Sequence, residues 1–348
     1  MHPLKLREVL EDDASNLLEE SMGYSQTNGT RELRERIAAL YPKATADDIL
    51  VTNGSSEANF VTLWSLLKKD TEVAIMLPNY MQNWGLARTL QARVKPIWLS
   101  EHKGRWALDI HGLKKIVNKK TKLIAVCNPN NPTGSVMAEE EIDAVCSIAK
   151  KAGAWILSDE VYQGAELDGE GTPTFWGRYN KVIVTNGLSK AYGLPGLRIG
   201  WAVASKELAS RLWAFHDYTT IGPSALSDHI ARRVLRTNTR EKILERTRGI
   251  LRTNLPVLTE WVKKHHKLLS LIAPKAGAIV YMKCSLGINS TKFAERLLKE
   301  KSTLIVPGDH FGMDHYLRIG YGSEQLNLVA GLGRVGELLS TVQSEEGR

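Results

Sequence analysis

The chain has 348 residues and is 43% hydrophobic, which is ordinary for a globular protein and sufficient for more than one compact core. Lysine and arginine (46) exceed aspartate and glutamate (38), so the formal net charge is +8. This excess permits a nucleic-acid partner, an anionic ligand or a solvated basic surface. No nucleic-acid-binding motif accompanies it, and no run approaches the ~20 apolar residues that span a bilayer. We therefore predict neither nucleic acid nor membrane as a partner.

The amino-terminal stretch MHPLKLREVLEDD has an acidic run where a signal peptide would need an apolar one. We therefore predict a cytoplasmic location. The three cysteines, Cys127, Cys146 and Cys284, have none of the close spacings of a metal site or a redox pair. They are predicted to be reduced and structural, and no metal site is predicted.

The first clear element is an amphipathic helix that begins after Thr30, because Leu33, Ile37 and Leu40 fall on one helical face. Short apolar runs follow at intervals, with helical patterns between them. They are DDILVT, EVAIML, KLIAVCNP, AWILSDE, KVIVTNG and LRIGWAVA. Because these runs are apolar on both faces, they are typical of central strands in a mostly parallel sheet that helices cover.

The order of these elements predicts two domains. The strands and helices of residues 41–230 indicate a large α/β domain. From residue 231 the pattern changes to long charged helices and then to PKAGAIVYMKC and STLIVPG, which are predicted strands of a smaller α+β domain over 231–348. Residues 1–40 form a separate amino-terminal segment.

Polar motifs follow several of the predicted strands, at the edge where open α/β sheets bind ligands. TNGSSEANF opens a helix, and the amides around Ser55 and Ser56 could bind an anion, although short Gly-Ser turns are common. NPNNPTG, at 128–134, is rich in turn-forming residues. SDEVYQG places Asp159 at a strand end, where its carboxylate could also serve only as a helix cap.

SKAYGLPGLRIGW places Lys190 directly after another apolar strand. A lysine in this position is usually a surface charge. Burial at a strand end would instead lower its pKa from about 10.4, and a neutral lysine can attack an aldehyde. The sequence therefore leaves a structural and a catalytic interpretation of this lysine open.

Together these motifs resemble fold-type I pyridoxal 5'-phosphate (PLP) enzymes of the aspartate-aminotransferase type, in the class I/II aminotransferase family. The resemblance runs from about Tyr24 to Tyr321, and eight residues separate Lys190 from Arg198 as in that family. It implies an α/β fold-type I PLP-dependent transferase with a mostly parallel seven-stranded sheet sandwiched by helices. It also implies PLP as the cofactor, carried as a Schiff base on Lys190.

The resemblance assigns roles to individual residues. Lys190, Asp159 and Tyr162 are the implied catalytic residues: the lysine moves the Cα proton, and Asp159 pairs with the pyridine nitrogen. Tyr162 and Asn131 reach the phenolic oxygen. The other implied cofactor contacts are Ser55, Ser56, Ser189 and Arg198 around the phosphate, Tyr80 on the ring face, and Tyr24 on the phosphate of the neighbouring subunit.

The carboxyl-terminal motif YLRIGYG resembles the family segment whose arginine binds the substrate's α-carboxylate, here Arg318, beside Asn131. Arg318 could instead form a buried structural ion pair, but its planar guanidinium suits the binding of the substrate's carboxylate. His310 and His315 are interpreted as structural or rim residues. The implied function is amino transfer between an amino acid and a 2-oxo acid. The resemblance also implies a homodimer with shared active sites, in which residues 1–40 pack on the small domain and on the partner subunit.

Three features depart from the family pattern. Gly187 stands where many relatives carry a phosphate-binding hydroxyl, only a short segment precedes Tyr24, and no second arginine can be assigned to a distal carboxylate. The main alternative function is therefore that of a PLP-dependent lyase, decarboxylase, cyclase or oxidase acting on an amino acid, in secondary metabolism. A nucleic-acid-binding or regulatory module that kept the fold is disfavoured by the intact lysine, aspartate and arginine set.

Overall fold

The computed structural model describes residues 1–10, 17, 19 and 23–346, and one eight-stranded sheet forms its largest layer. The strands follow the apolar runs of the sequence, because such runs can be buried on both faces of a sheet. In chain order they are β1 (Ile49–Thr52), β2 (Glu72–Leu77), β3 (Arg93–His102), β4 (Arg105–Leu108), β5 (Thr121–Cys127), β6 (Trp155–Asp159), β7 (Val182–Gly187) and β8 (Gly200–Val203).

The sheet is mostly parallel, which confirms the predicted α/β fold class. Its spatial order is β1-β8-β7-β6-β5-β2-β3-β4. Strand β8 runs antiparallel to both of its neighbours, and β4 runs antiparallel to β3. The sheet has eight strands rather than the predicted seven. The quoted apolar runs correspond to six of these strands. The other two, β3 and β4, form a hairpin that turns at Lys103 and Gly104, both with a positive φ, and the β4 sequence RWAL is too short to indicate a strand.

Helices pack on both faces of this sheet. They are α1 (Leu6–Leu10), α2 (Arg31–Ala38), α3 (Ser55–Leu66), α4 (Gln82–Thr89), α5 (Ile110–Ile116), α6 (Glu139–Ala152), α7 (Lys206–His216) and α8 (Ala225–Val234). Alternate residues of β5 belong to two hydrophobic clusters: Leu123 lies in one with residues of α3 and α7, and Ile124 in the other with residues of α6. The predicted helix after Thr30 is α2, and the Thr30 hydroxyl oxygen accepts from the Leu33 amide (3.3 Å).

A second, antiparallel sheet follows in the carboxyl-terminal part of the chain. Its strands are β9 (Leu269–Leu271), β10 (Ile279–Cys284), β11 (Val306–Pro307) and β12 (Tyr316–Gly320), in the order β11-β12-β10-β9. Helices α9 (Thr237–Lys264), α10 (Ser290–Lys301) and α11 (Gln325–Glu346) accompany it. The predicted division into 1–40, 41–230 and 231–348 stays a prediction, and its second boundary falls within α8.

All three cysteines are buried and free. Among the residues that the structure describes, no cluster of histidine, cysteine and carboxylate side chains could hold a metal ion. In the same part of the chain, no helix combines the length and the apolar character that a membrane crossing requires.

Candidate active site

The turn between β1 and α3 forms one corner of the candidate site. Gly54 precedes α3 with φ of 87°, and a Cβ atom added there would lie 2.3 Å from Nη2 of Arg198. The Arg198 guanidinium donates to the carbonyl of Asn53 (3.3 Å) and to Oγ of Ser189 (3.4 Å). This corner therefore combines a helix amino end with a guanidinium and a hydroxyl, which is suitable chemistry for an anion.

Two glycines bring neighbouring strands close to this corner. Ser55 and Ser56 are the first residues of α3, and a Cβ atom on Gly200 would lie 2.2 Å from the Ser55 amide nitrogen. A Cβ atom on Gly187 would lie 2.8 Å from the Ile199 carbonyl and 3.0 Å from Gly200 Cα. Because any side chain would collide here, the approach of β7 and β8 explains the departure from the family pattern at position 187.

Asp159 lies at the end of β6 and is 3% exposed. One carboxylate oxygen accepts from the Val161 amide (3.2 Å), and the other accepts from Nδ2 of Asn59 (3.2 Å). Burial raises the pKa of Asp159, and the two hydrogen bonds and the positive charge of Lys190 oppose this rise only in part. A buried carboxylate with a raised pKa favours a cationic partner.

Lys190 follows β7, and its charge interacts with this carboxylate. Its side chain is accessible to solvent, but its pKa is nevertheless lowered. The largest cause is partial desolvation of the amino group by the surrounding protein. The positive charge of Arg318 and, more weakly, that of Arg198 also lower the pKa, whereas the negative charge of Asp159 raises it. The four charged groups that these effects join come from three segments, since Lys190 and Arg198 both lie in the connection between β7 and β8. A lysine in such surroundings holds more of the neutral, nucleophilic form than an isolated one.

Asn131 and Arg318 meet on the other side of the site. Nη1 of Arg318 donates to Oδ1 of Asn131 (3.1 Å), and its guanidinium carbon lies 5.7 Å from the ring centre of Phe311. Within the described part of the chain Arg318 has no ion pair with an acidic residue, so the structural alternative has no support there. Tyr162 is buried, which raises its pKa, while the positive charge of Arg318 acts against this.

The two remaining predicted tyrosines are exposed. Tyr80 is 41% exposed, and it lies close enough to Tyr162 to affect its pKa. Tyr24 is 92% exposed and lines a surface cavity with Thr27 and Gly222, away from the carboxylate and lysine of its own chain's site. The structure therefore brings all predicted residues except Tyr24 around one site.

Residues 1–4 also reach the site, which the sequence did not predict. The Leu4 amide donates to the Gly193 carbonyl (3.0 Å), and Arg246 donates to the His2 carbonyl (3.2 Å). Burial and the positive charge of Lys190 lower the pKa of the Met1 amino group. No sequence signal indicates this position, because the contacts are made mainly by backbone atoms.

Sequence analysis also missed two buried polar residues beside Asp159. Asn59 and Thr185 are both 0% exposed, and the Thr185 hydroxyl donates to Oδ1 of Asn59 (2.8 Å). The available signals are an asparagine within the helix EANFVTLW and a threonine in the apolar strand KVIVTNG. Buried polar groups in such elements require partners, so these two residues could have been identified as site candidates.

Comparison with known proteins relates this site to one family. The sequence profile described as "Aminotransferase class I and II" matches residues 4–330. A PLP-dependent aminotransferase from Streptococcus suis has a structure with a TM-score of 0.91 and 33% sequence identity, which covers 98% of this chain and 91% of that one.

Two further similar proteins are not named as aminotransferases. The structure of a PLP-dependent cyclase, OrfR, has a TM-score of 0.88 and 29% identity, over 98% of this chain and 91% of that one. Capreomycidine synthase from Streptomyces vinaceus is 28% identical over 313 residues, which cover 90% of this chain and 80% of that protein.

Proposed function

The chain belongs to the class I and II aminotransferase family, and on this premise we propose that it transfers an amino group between an amino acid and a 2-oxo acid with PLP bound at the candidate site. The observation that carries the proposal is the position of Lys190 after β7, where its charge interacts with the buried Asp159 and with Arg318. These are the three functional groups that the chemistry needs: a base, an electrostatic partner for the ring nitrogen, and a carboxylate-binding cation.

The residues present fit PLP. The buried Asp159 carboxylate suits a protonated ring nitrogen. The corner where the start of α3 meets the Arg198 guanidinium and the Ser189 hydroxyl suits a phosphate. The residues proposed to hold the cofactor are Ser55, Ser56, Ser189 and Arg198 at the phosphate, Tyr80 on the ring face, and Asn131, Asp159 and Tyr162 at the ring edge. When bound, PLP supplies an electron-withdrawing ring that stabilises the electron pair left on the substrate's Cα atom.

The side chains of this chain supply the remaining steps. Arg318 binds the α-carboxylate and orients the amino acid. Lys190, in its neutral form, would accept the proton from Cα and deliver it to the cofactor carbon that receives the amino group. Asp159 remains negatively charged and keeps a proton on the ring nitrogen. The base and the ring-nitrogen partner therefore act in their unprotonated forms, a neutral amine at Lys190 and a carboxylate at Asp159.

Nitrogen transfer tests the proposal. Purified protein loaded with PLP is given ¹⁵N-labelled amino acids, one at a time, with an unlabelled 2-oxo acid. We expect ¹⁵N in the newly formed amino acid together with one equivalent of 2-oxo acid from the donor. Release of ammonia, carbon dioxide or a cyclised product without nitrogen transfer would contradict transamination.

A cyclase or another non-transferring reaction is the second candidate. It is favoured by the similarity to the PLP-dependent cyclase OrfR at 29% identity. The same assay separates the two functions. A cyclase forms a ring within its own substrate and converts none of the added 2-oxo acid into a ¹⁵N-labelled amino acid.

Replacing Arg318 with lysine is expected to weaken amino acid binding, because an ammonium group cannot make the paired hydrogen bonds of a guanidinium. We expect kcat/KM to fall about 10- to 100-fold, the range for a lost hydrogen bond to a charged group, with most of the change in KM. Steady-state kinetics at saturating PLP measure this. Arg88→Lys, on the exposed side of α4, is the matched control. An unchanged KM for Arg318→Lys would contradict the assignment.

We further propose a homodimer in which each subunit contributes Tyr24 to its neighbour's site. Tyr24 and Tyr218 are 92% and 81% exposed, and Ile221 is 46% exposed in a loop beside them. This loop is tied to the phosphate corner, since Asn53 Nδ2 donates to Thr220 Oγ1 (2.6 Å) and to the Gly222 carbonyl (3.1 Å). Exposed aromatic residues in one patch are typical of a protein interface.

Mixed dimers test the shared site. Lys190→Ala and Tyr24→Ala subunits are each expected to have low activity alone. When they are mixed under conditions of subunit exchange, one intact site forms in each hybrid, and roughly a quarter of wild-type activity should return on statistical grounds. Each variant alone, treated identically, is the control. No recovery in samples shown to contain hybrids would contradict the sharing of Tyr24.

A further inference from the structure

We propose that Asn59 and Thr185 form a positioning pair that holds the Asp159 carboxylate charged and oriented toward the ring nitrogen of the cofactor. This inference rests on the proposed function, because it assigns the pair a role toward PLP. Neither residue belongs to the set identified from the sequence, and neither is needed to explain how the chain holds the phosphate or the substrate.

The sheet register brings the three side chains together. Thr185 of β7 is the direct partner of Asp159 on the parallel strand β6, so both side chains project from the same face of the sheet. Helix α3 packs on this face and presents Asn59, whose amide lies between them. All three residues are no more than 3% exposed, so water does not replace these contacts.

The direction of the hydrogen bonds fixes the amide of Asn59. The Thr185 hydroxyl donates to Oδ1 of Asn59 (2.8 Å), which leaves the NH₂ group to donate to Asp159 Oδ2 (3.2 Å) and to Gln82 Oε1 (3.4 Å). An ionised carboxylate can only accept hydrogen bonds. By donating to Oδ1, the Thr185 hydroxyl supports the amide orientation that places the NH₂ group on the carboxylate, and this orientation favours the charged form of Asp159.

The pair leaves the carboxylate free to bind another donor. A carboxylate has about four acceptor positions, and the described contacts to Asp159 use two, from Val161 and Asn59. A third donor, such as a protonated ring nitrogen, does not need to displace either. The pair is also linked to the phosphate corner, because Gln82 Nε2 donates to the Ser56 carbonyl (2.8 Å).

Affinity for two cofactors tests the pair. Apoprotein is titrated with PLP and with its 1-deaza analogue, in which carbon replaces the ring nitrogen, and Kd is measured by fluorescence. The variants are Asn59→Leu, Thr185→Val and Thr185→Ser. Thr62→Val is the matched control, because Thr62 is also buried in α3 and its hydroxyl has no partner among the described residues.

Asn59→Leu is expected to weaken the binding of PLP about ten-fold or more, in line with the loss of a hydrogen bond to a charged group. The same substitution should change the affinity for the analogue about two-fold or less. Thr185→Val should also weaken the binding of PLP, and Thr185→Ser should restore the wild-type affinity. Thr62→Val should leave the Kd of both ligands unchanged. Because valine is close in size to threonine, Thr185→Val keeps the test available if Asn59→Leu does not fold.

Equal weakening of both ligands, or no weakening of PLP by either variant, would overturn the inference. These outcomes differ from failure of the proposed function. If wild-type apoprotein does not bind PLP at all, the proposed function itself fails. If wild-type protein binds PLP and transfers nitrogen but the variants match it for both ligands, only the positioning pair is rejected.

Discussion

Replacing Lys190 with alanine is expected to lower amino transfer by at least about 10⁴-fold, the upper range for general acid–base catalysis. The structure gives the reason: the surrounding protein and the positive charge of Arg318 lower the pKa of this lysine, and its charge interacts with the Asp159 carboxylate. PLP should still bind through its phosphate and ring contacts. Single-turnover measurements with saturating PLP and amino acid test the expectation.

The matched control is Lys115→Ala, on the exposed side of α5, which should keep wild-type turnover. The pH dependence gives a second readout. Because the pKa of Lys190 is lowered from its ordinary value, wild-type turnover should reach its plateau below the pH at which an isolated lysine loses its proton. Turnover in Lys190→Ala within ten-fold of wild type would contradict its role as the base.

Replacing Asp159 with asparagine is expected to lower kcat about 10²- to 10³-fold, the range found when one preorganised electrostatic partner is removed. An amide cannot hold a proton on the ring nitrogen as a carboxylate does. Steady-state kinetics with saturating PLP measure this loss, and Asp159→Glu, which keeps the charge, should retain more activity than Asp159→Asn. Equal activity of Asp159→Asn and wild type would contradict the assigned role.

The same substitution is expected to stabilise the protein without cofactor. Burial raises the pKa of Asp159 in the folded state, so between the unfolded-state pKa and this raised pKa the folded protein binds more protons than the unfolded chain. The free energy of unfolding therefore falls as pH rises through this window. Thermal unfolding of apoprotein should show a higher Tm for Asp159→Asn at neutral pH, and this advantage should shrink as the pH falls toward the ordinary range of aspartate.

Much of the site could be predicted because its chemistry stands at the ends of buried strands. Asn131 follows β5, Asp159 ends β6 and Lys190 follows β7, and the carboxyl ends of parallel strands meet at one edge of a sheet. Each apolar run is visible in the sequence as a strand. The grouping of the residues that follow these runs is then a consequence of topology.

The rest could not be predicted because it depends on contacts between distant segments. Asn59 lies 100 residues from Asp159, and only the packing of α3 on the sheet reveals that its amide faces the carboxylate. Residues 1–4 reach the site through backbone hydrogen bonds, which no side-chain pattern reports. Strand β3, which lies next to the edge strand β4, has buried residues only at alternate positions, so it lacks the continuous apolar run that identified the central strands.

The opposite effects expected for Asp159→Asn on Tm and on kcat illustrate why function can oppose folding at this site. A carboxylate buried without a cation is unfavourable, yet the chain keeps one between a helix and the sheet and surrounds it with donors from Asn59 and Val161. The arrangement is favourable once a cationic ring nitrogen binds. Residues that contradict local folding preferences are expected at functional sites for this reason.

The most direct test of the central claim is to locate the covalent attachment of the cofactor. Protein incubated with PLP is reduced with borohydride, digested and examined by peptide mass spectrometry. We predict a pyridoxyl group on Lys190 and its loss in Lys190→Ala. A protein that binds PLP but carries the group on another lysine, or on none, would contradict the account.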